Sequence, residues 1–294
     1  MSKRKFWIFT DSSADMTEQY YAENGVTCIN LGFTLNEKNY LGSDGKNIKA
    51  KEFYELLREG GMPTTTQVSP QSAKDGMEQA LKQGKDVLVI AFSSGLSGTC
   101  SSFQVGAREL LEAYPDRKIE VVDGLCASMG QGLLLDYVVK KADEGASLEE
   151  TKDYADSLKL HICHEFTVDD LFHLKRGGRV SGATAVVGSI LKIKPIMHVD
   201  NLGKLVPVGK AMGRKKSIYT LSENMDKAQT LEKGEPIFIT HGDCLEDAEY
   251  LKSILEKKYP ENPVSINYVG PVIGAHSGVG TLALFYRGSN REVK

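Results

Sequence analysis

The stretch Phe92-Ser93-Ser94-Gly95-Leu96-Ser97-Gly98-Thr99 sets hydroxyls and glycines directly after an apolar run, Asp86–Phe92. That run reads as a buried strand, and in an α/β sheet ligands bind beyond the carboxyl ends of the strands. Glycines there let the backbone approach a ligand, while Ser and Thr supply hydroxyl and amide donors. The chemistry implied is capture of an anion or a carbonyl oxygen, since the loop holds no acid or base of its own. A second cluster, Pro63-Thr64-Thr65-Thr66-Gln67, puts three hydroxyls and an amide in one loop, or in a plain threonine-rich turn. His276, within Ile273-Gly274-Ala275-His276-Ser277-Gly278, reads as an imidazole at the end of an apolar strand, where a structural role competes with ligand binding. Asp11-Ser12 ends the first strand and is either site or ordinary turn.

Other chemistries find less support. His161-Ile162-Cys163-His164, read as a strand, puts His161 and Cys163 on one face and His164 on the other. Two ligands are too few for a structural zinc site, so no metal is expected. No Walker-type phosphate loop occurs, and Gly95-Leu96-Ser97-Gly98 falls short of a dinucleotide fingerprint. Gly95-Leu96-Ser97-Gly98-Thr99 misses the nucleophile elbow because Thr99 stands where Gly is needed. A serine acyl-hydrolase using Ser97 or Ser94 with His276, or a phosphotransferase at the same place, remains the alternative to simple binding.

These residues need elements to carry them. The 294 residues suit two domains, and 41% hydrophobic with 26% charged residues is ordinary for a soluble globular chain. By composition the N-terminus is not expected to act as a signal peptide, and no apolar run approaches the roughly 18 residues of a membrane span. Five scattered cysteines without C-x-x-C spacing fit reduced thiols, so a cytoplasmic location is expected. The net charge of −3 hides a basic segment: Asp170–Thr220 holds ten Lys or Arg against two acids. Such a segment is a solvated face or steers an anionic ligand or acidic partner. Nucleic acid is a poor candidate, because no aromatic residues interleave with these bases.

The first half alternates strand and helix signals. Strands are predicted over Lys5–Thr10, Val26–Leu31, Asp86–Phe92 and Lys118–Asp123, with a hairpin over Phe33–Leu41 bent at Asn36-Glu37-Lys38. Helices are predicted over Met16–Glu23 with Asp15 as cap, Lys51–Glu59, a segment opened by Ser69-Pro70, Thr99–Ala113 and Ser128–Glu144. That order predicts a mostly parallel, helix-covered sheet. The second half is mixed, with a strand over Leu158–Val168, a short helix over Asp169–Lys175, and a helix over Ala183–Leu191 capped by Ser181. A hairpin over Ile193–Val199 and Lys204–Val208 follows, then helices Ile218–Leu231 and Leu245–Tyr259 among strands Pro236–His241, Pro263–Val269 and Thr281–Tyr286. A boundary near residue 160 divides the chain into 1–160 and 161–294.

In this order the motifs resemble the DegV family of bacterial fatty-acid-binding proteins. The likeness runs through Thr10-Asp11-Ser12, Thr64-Thr65-Thr66-Gln67, the serine loop, Asp169-Asp170-Leu171 with Lys175-Arg176-Gly177-Gly178-Arg179-Val180-Ser181, Lys192-Ile193-Lys194-Pro195-Ile196, and Val272 to Gly278. It implies a Rossmann-like N-terminal α/β domain, a smaller mixed-sheet α/β domain, and a long-chain fatty acid in a tunnel between them. By the same likeness, Thr65, Ser93, Ser94, Ser97 and His276 would hold the fatty-acid carboxylate. Asp11, Ser12, Thr66, Gly95 and Gly274 would be pocket neighbours, and Arg179, Arg176 and Arg214 would dock a partner. That partner would be a separate ATP-dependent fatty acid kinase that phosphorylates the carboxylate for phospholipid synthesis. The chain itself would be non-catalytic and without a cofactor. Val68, Thr66, Gly124, Cys100 and Met212 depart from the family pattern, and Met212 stands where an arginine is usual.

Overall fold

The computed structural model describes residues 4–42, 48–180 and 193–292, and the predicted Ala183–Leu191 helix with its Ser181 cap lies outside them. The N-terminal half runs β1 (Phe6–Asp11), α1 (Glu18–Glu23), β2 (Val26–Ile29), β3 (Gly32–Leu35), β4 (Lys38–Leu41), α2 (Ala50–Arg58), β5 (Thr64–Thr66), α3 (Pro70–Lys82), β6 (Asp86–Ala91), α4 (Thr99–Ala113), β7 (Ile119–Asp123), α5 (Met129–Asp143) and α6 (Leu148–Leu158). The remainder runs β8 (Ile162–Thr167), α7 (Leu171–Arg176), β9 (Ile193–Val199), β10 (Leu205–Met212), α8 (Arg214–Ala228), β11 (Ile237–His241), α9 (Leu245–Lys258), β12 (Val264–Tyr268), α10 (Pro271–Ser277) and β13 (Leu282–Arg287).

These strands form a parallel sheet in the order β2-β1-β6-β7, a small antiparallel sheet β4-β3-β5, and a mixed sheet β10-β9-β8-β13-β11-β12. In the parallel sheet the order reverses between β1 and β6, which opens a crevice beyond their carboxyl ends. Asp11 stands there as a brace. Its Oδ2 accepts from the Phe92 amide at 2.8 Å, and Ser12 Oγ accepts from the Leu31 amide at 3.0 Å. Burial pushes the Asp11 carboxyl above its usual range, against donors that pull it down.

Local signals account for most elements. Ser69 Oγ caps α3 by accepting from the Ser72 amide, with Pro70 inside the first turn. The β3–β4 turn uses Asn36 and Glu37, both at positive φ as a tight hairpin turn demands. Helix α5 is buried on nearly every face because it lies between two sheets. Leu133, Leu134 and Val138 share one core with Ile8 and Leu88 of the parallel sheet and with Phe166 and Phe285 of the mixed sheet. Each such side chain contributes about 1.5–3 kcal/mol by leaving water, so this helix joins the two halves.

Three local expectations need correction. Thr17, not Asp15, caps α1, since its side chain accepts from the Tyr20 amide while Asp15 sits at φ 52° outside the helix. Thr64–Thr66 is a strand paired with β3 rather than a loop. The run around His276 is helix α10, not a strand: Pro271 begins it, and Gly278 at φ 79° ends it. A seven-residue apolar run carries too little periodicity to separate the two, and Pro at the first position was the deciding local signal.

Candidate functional site

A cavity with about 980 Å³ of atom-free space lies between the parallel and mixed sheets. Leu31 and Phe92 reach it from the ends of parallel strands, Phe166 and Phe285 rise from the mixed sheet, and Val272 and Ile273 come from α10. The body of the wall is hydrocarbon.

Polar groups gather at one mouth. In β5 the side chains alternate, so Thr65 turns inward while Thr64 and Thr66 are exposed. Thr65 Oγ1 lies 2.8 Å from His276 Nε2, a contact between residues 211 positions apart. The remaining ring nitrogen of His276, Nδ1, is buried with no partner among the described residues, as is Ser277 Oγ. Burial, with Arg179 and His173 nearby, pushes the His276 pKa down to about 4, so the ring is neutral at physiological pH. Ser97 Oγ lines the cavity and lies 3.0 Å from Thr99 Oγ1, and Gln67 lines it alongside.

Outside this gate is a basic vestibule, bounded by Met62, His173 and Arg176 and sharing Thr65, Arg179 and His276 with the cavity. Arg179 donates to the Leu96 carbonyl at 3.3 Å and to the Gly177 carbonyl at 2.5 Å. These bonds tie the guanidinium to the serine loop and the α7 exit at the rim. Arg176 Nη2 lies 2.8 Å from His173 Nδ1. The gate therefore sets the neutral groups Thr65 and His276 beside the Arg179 guanidinium, which lines both the cavity and the vestibule.

Several predicted residues lie elsewhere. Ser93 is fully buried and donates to the Gly203 carbonyl at 2.8 Å, holding the β9–β10 turn against the parallel sheet. Gly203, at φ 71°, leaves room for that contact, because a Cβ there would overlap Ser93 Oγ. Ser94 is exposed, its amide bonded to Asp123. Neither serine lines the cavity, so of the three only Ser97 is positioned to meet a ligand. Asp11 and Ser12 brace the sheet, Gly95 packs on the Leu202 and Gly203 carbonyls, Gly274 packs on Tyr54, and Thr66 faces away. Arg214 is committed to Asp247 at 2.8 Å and to Asp169 at 3.7 Å, and is not part of the vestibule.

Other wall residues carried weak signals in the sequence or none. His164, set aside as a metal ligand, lines the cavity on the face opposite Cys163, as a period of two requires. Gly130 admits its ring, since a Cβ there would overlap Nε2. Ser128 and Thr240 also line the cavity, and no motif marked them. The hydrogen bonds of Ser97 and His276 run to Thr99 and Thr65, not to each other, so the pair a serine hydrolase needs is not formed. Among the described residues no group of His, Cys, Asp and Glu could hold a metal ion, and no helix is long and apolar enough to cross a membrane.

Comparison with known proteins agrees with this architecture. Residues 5–288 match the model of the family described as "Uncharacterised protein, DegV family". A DegV domain-containing protein of Clostridium perfringens is 42% identical over 289 residues, covering 98% of this chain and 99% of the relative. A DegV family protein of Thermus thermophilus, described for its fatty acid binding, superposes with a TM-score of 0.87 at 29% identity, covering 98% of this chain and 100% of that one. DegV of Bacillus subtilis, described as a fatty acid binding protein, gives a TM-score of 0.83 at 29% identity with the same coverage. The α/β fold with its parallel and mixed sheets, the cleft between them and this likeness across nearly the whole sequence lead to one assignment: the chain belongs to the DegV family.

Proposed function

We propose that this protein binds a long-chain fatty acid in the cavity, with the carboxyl group at Thr65, Ser97 and His276 and the tail along the hydrocarbon wall. The cleft then divides a domain of residues 1–160 from one of 161–294. The observation that carries the reading is the match of a largely apolar cavity wall to a gate, Thr65 and His276, whose hydrogen-bonding capacity is not fully spent. A carboxyl group offers two oxygens, which hydroxyls and an imidazole satisfy without the bidentate grip of an arginine. At about 0.8 kcal/mol per buried methylene, the tail contributes on the order of 10 kcal/mol before ordering costs. The fatty acid binding described for the Thermus thermophilus and Bacillus subtilis relatives supports the same ligand class.

The protein acts in this reading as a carrier without chemistry or cofactor of its own, working in the cytoplasm. Its Arg176 and Arg179 rim receives an ATP-dependent fatty acid kinase, which phosphorylates the exposed carboxylate for phospholipid synthesis. Arg214, tied to two acids, is given no part in docking. Denaturing the purified protein and extracting it for mass spectrometry tests the ligand: a long-chain acid near one per chain is expected, and its absence after loading with excess fatty acid would refute the reading. Arg179→Glu should keep lipid and lose kinase-dependent phosphorylation, and a fully active variant would remove the docking role.

A further inference from the structure

Besides the gate residues, the cavity wall carries a second polar set, Ser128, His164, Thr240 and Thr281. Two of these are spent internally. His164 Nδ1 faces the Ile162 carbonyl at 3.0 Å and Nε2 accepts from the Ala127 amide at 3.2 Å, which sets both ring nitrogens. Thr281 Oγ1 has its one proton directed at the Ser277 and Gly278 carbonyls, each 2.9 Å away.

Ser128 and Thr240 differ. Ser128 Oγ donates to Asp15 Oδ2 at 2.6 Å and lies 3.2 Å from Thr240 Oγ1. An ionised carboxylate only accepts, so the Ser128 proton is committed to Asp15, and Thr240 must direct its own proton at Ser128. The donor chain runs Thr240 to Ser128 to Asp15. A hydroxyl has one proton and two lone pairs, so Thr240 keeps both of its lone pairs and Ser128 keeps one. What the pair offers the cavity is acceptor capacity without a donor.

We infer that Ser128 and Thr240 form a subsite for a hydroxyl group on the acyl chain, so that the cavity favours hydroxylated long-chain acids over unsubstituted ones. An acyl hydroxyl donates into those lone pairs, whereas an oxo group brings only lone pairs and finds no donor there. The pair is held rigidly for this purpose. Ser128 sits at φ 52°, ψ −148°, a conformation that side-chain-bearing residues rarely adopt, and Asp15 is fixed by Asn267, whose Nδ2 donates to the Asp15 carbonyl at 2.8 Å. Burial raises the Asp15 carboxyl to about 7, so the relay has the stated direction above that pH.

The inference rests on the fatty-acid reading, and its sign separates it from a merely greasy wall. An unmatched hydroxyl in hydrocarbon weakens binding, while a matched one strengthens it. Displacement of a fluorescent fatty acid at about pH 8, above the raised Asp15 value of about 7, would compare stearic acid with hydroxystearic acids whose hydroxyl moves stepwise along the chain. The oxostearic acids complete the set. One hydroxy isomer should bind about tenfold more tightly than stearic acid, and its oxo counterpart more weakly than the hydroxy acid. In Thr240→Val, a near-isosteric change that leaves Ser128 as the one acceptor of the pair, the ratio of hydroxy to unsubstituted affinity should fall by about threefold or more. Tight stearic acid binding with no favoured hydroxy isomer, or a preference undiminished in Thr240→Val, overturns the subsite alone. Failure of every acid to bind overturns the fatty-acid reading and the subsite together.

Discussion

The two polar regions of the cavity are built from the same few residue types and spend their hydrogen bonds differently. At the far wall, His164 is tied through both nitrogens to backbone groups, and Ser128 is tied to Asp15. At the mouth, His276 holds one contact, to Thr65, and leaves Nδ1 unpartnered beside an unpartnered Ser277 hydroxyl. Burial depresses both imidazoles, yet only the mouth has capacity left for a ligand head group. A histidine on a cavity wall is therefore read by its partners rather than by its position. The far wall holds the halves of the protein together, and the mouth is where exchange occurs.

The most damaging test of this contrast is on the structural side. Arg291 is buried and donates to the Leu125 carbonyl at 2.6 Å and the Ile162 carbonyl at 3.0 Å, also reaching the Lys159 carbonyl. It ties the loop entering α5 to β8. Arg291→Met leaves the Leu125 and Lys159 carbonyls without the arginine donor, while Ile162 keeps His164, and should cost about 3 kcal/mol or more, read as a lower urea midpoint. Ser93→Ala, which frees the Gly203 carbonyl, should cost about 1–2 kcal/mol of stability, whereas Ser97→Ala should cost less than half of that. Equal losses would erase the distinction between the brace and the wall serine.

At the mouth the expectation inverts. Thr65→Val should leave the urea midpoint nearly unchanged and weaken fatty acid retention about tenfold by competition with a fluorescent fatty acid. The finest test is the pH dependence of stability, because the two regions should slope oppositely. The folded Asp15 carboxyl is raised from 3.8 to about 7, so the folded state holds the proton more tightly and this group's contribution falls as pH rises across that window. His276 is lowered from 6.5 to about 4, so its contribution is full above 6.5 and is lost as pH falls towards 4. Asp15→Asn should flatten the first slope and His276→Gln the second, measured by urea midpoints across that range. Slopes of one sign at both positions would contradict the assignment.

Much of the architecture was legible beforehand because its signals act over a few residues. Ser69-Pro70 opened a helix, Asn36-Glu37 turned a hairpin, and the run over Asp86–Phe92 was a strand, β6 ending at Ala91. Where signals were short they misled. The apolar run of α10 has fewer than two turns in which to show a helical period, and three threonines matched a turn as well as a strand. The charged segment from Asp170 onward was also only half informative. Arg176 and Arg179 stand at the vestibule, but Lys194 is bonded to Asp169 at 2.6 Å and Arg214 to Asp247.

The sequence by itself determined the alternation of strands and helices and the kind of chemistry gathered at the strand ends, since caps, turns and apolar periodicity are properties of neighbouring residues. Only the tertiary structure decided which hydroxyls are free. Ser93 is spent on Gly203, 110 positions away, Ser128 on Asp15, 113 positions away, and Thr65 meets His276 across 211. A hydroxyl's role depends on where its one proton goes, and in this protein that is settled by partners brought together when the two sheets close over α5.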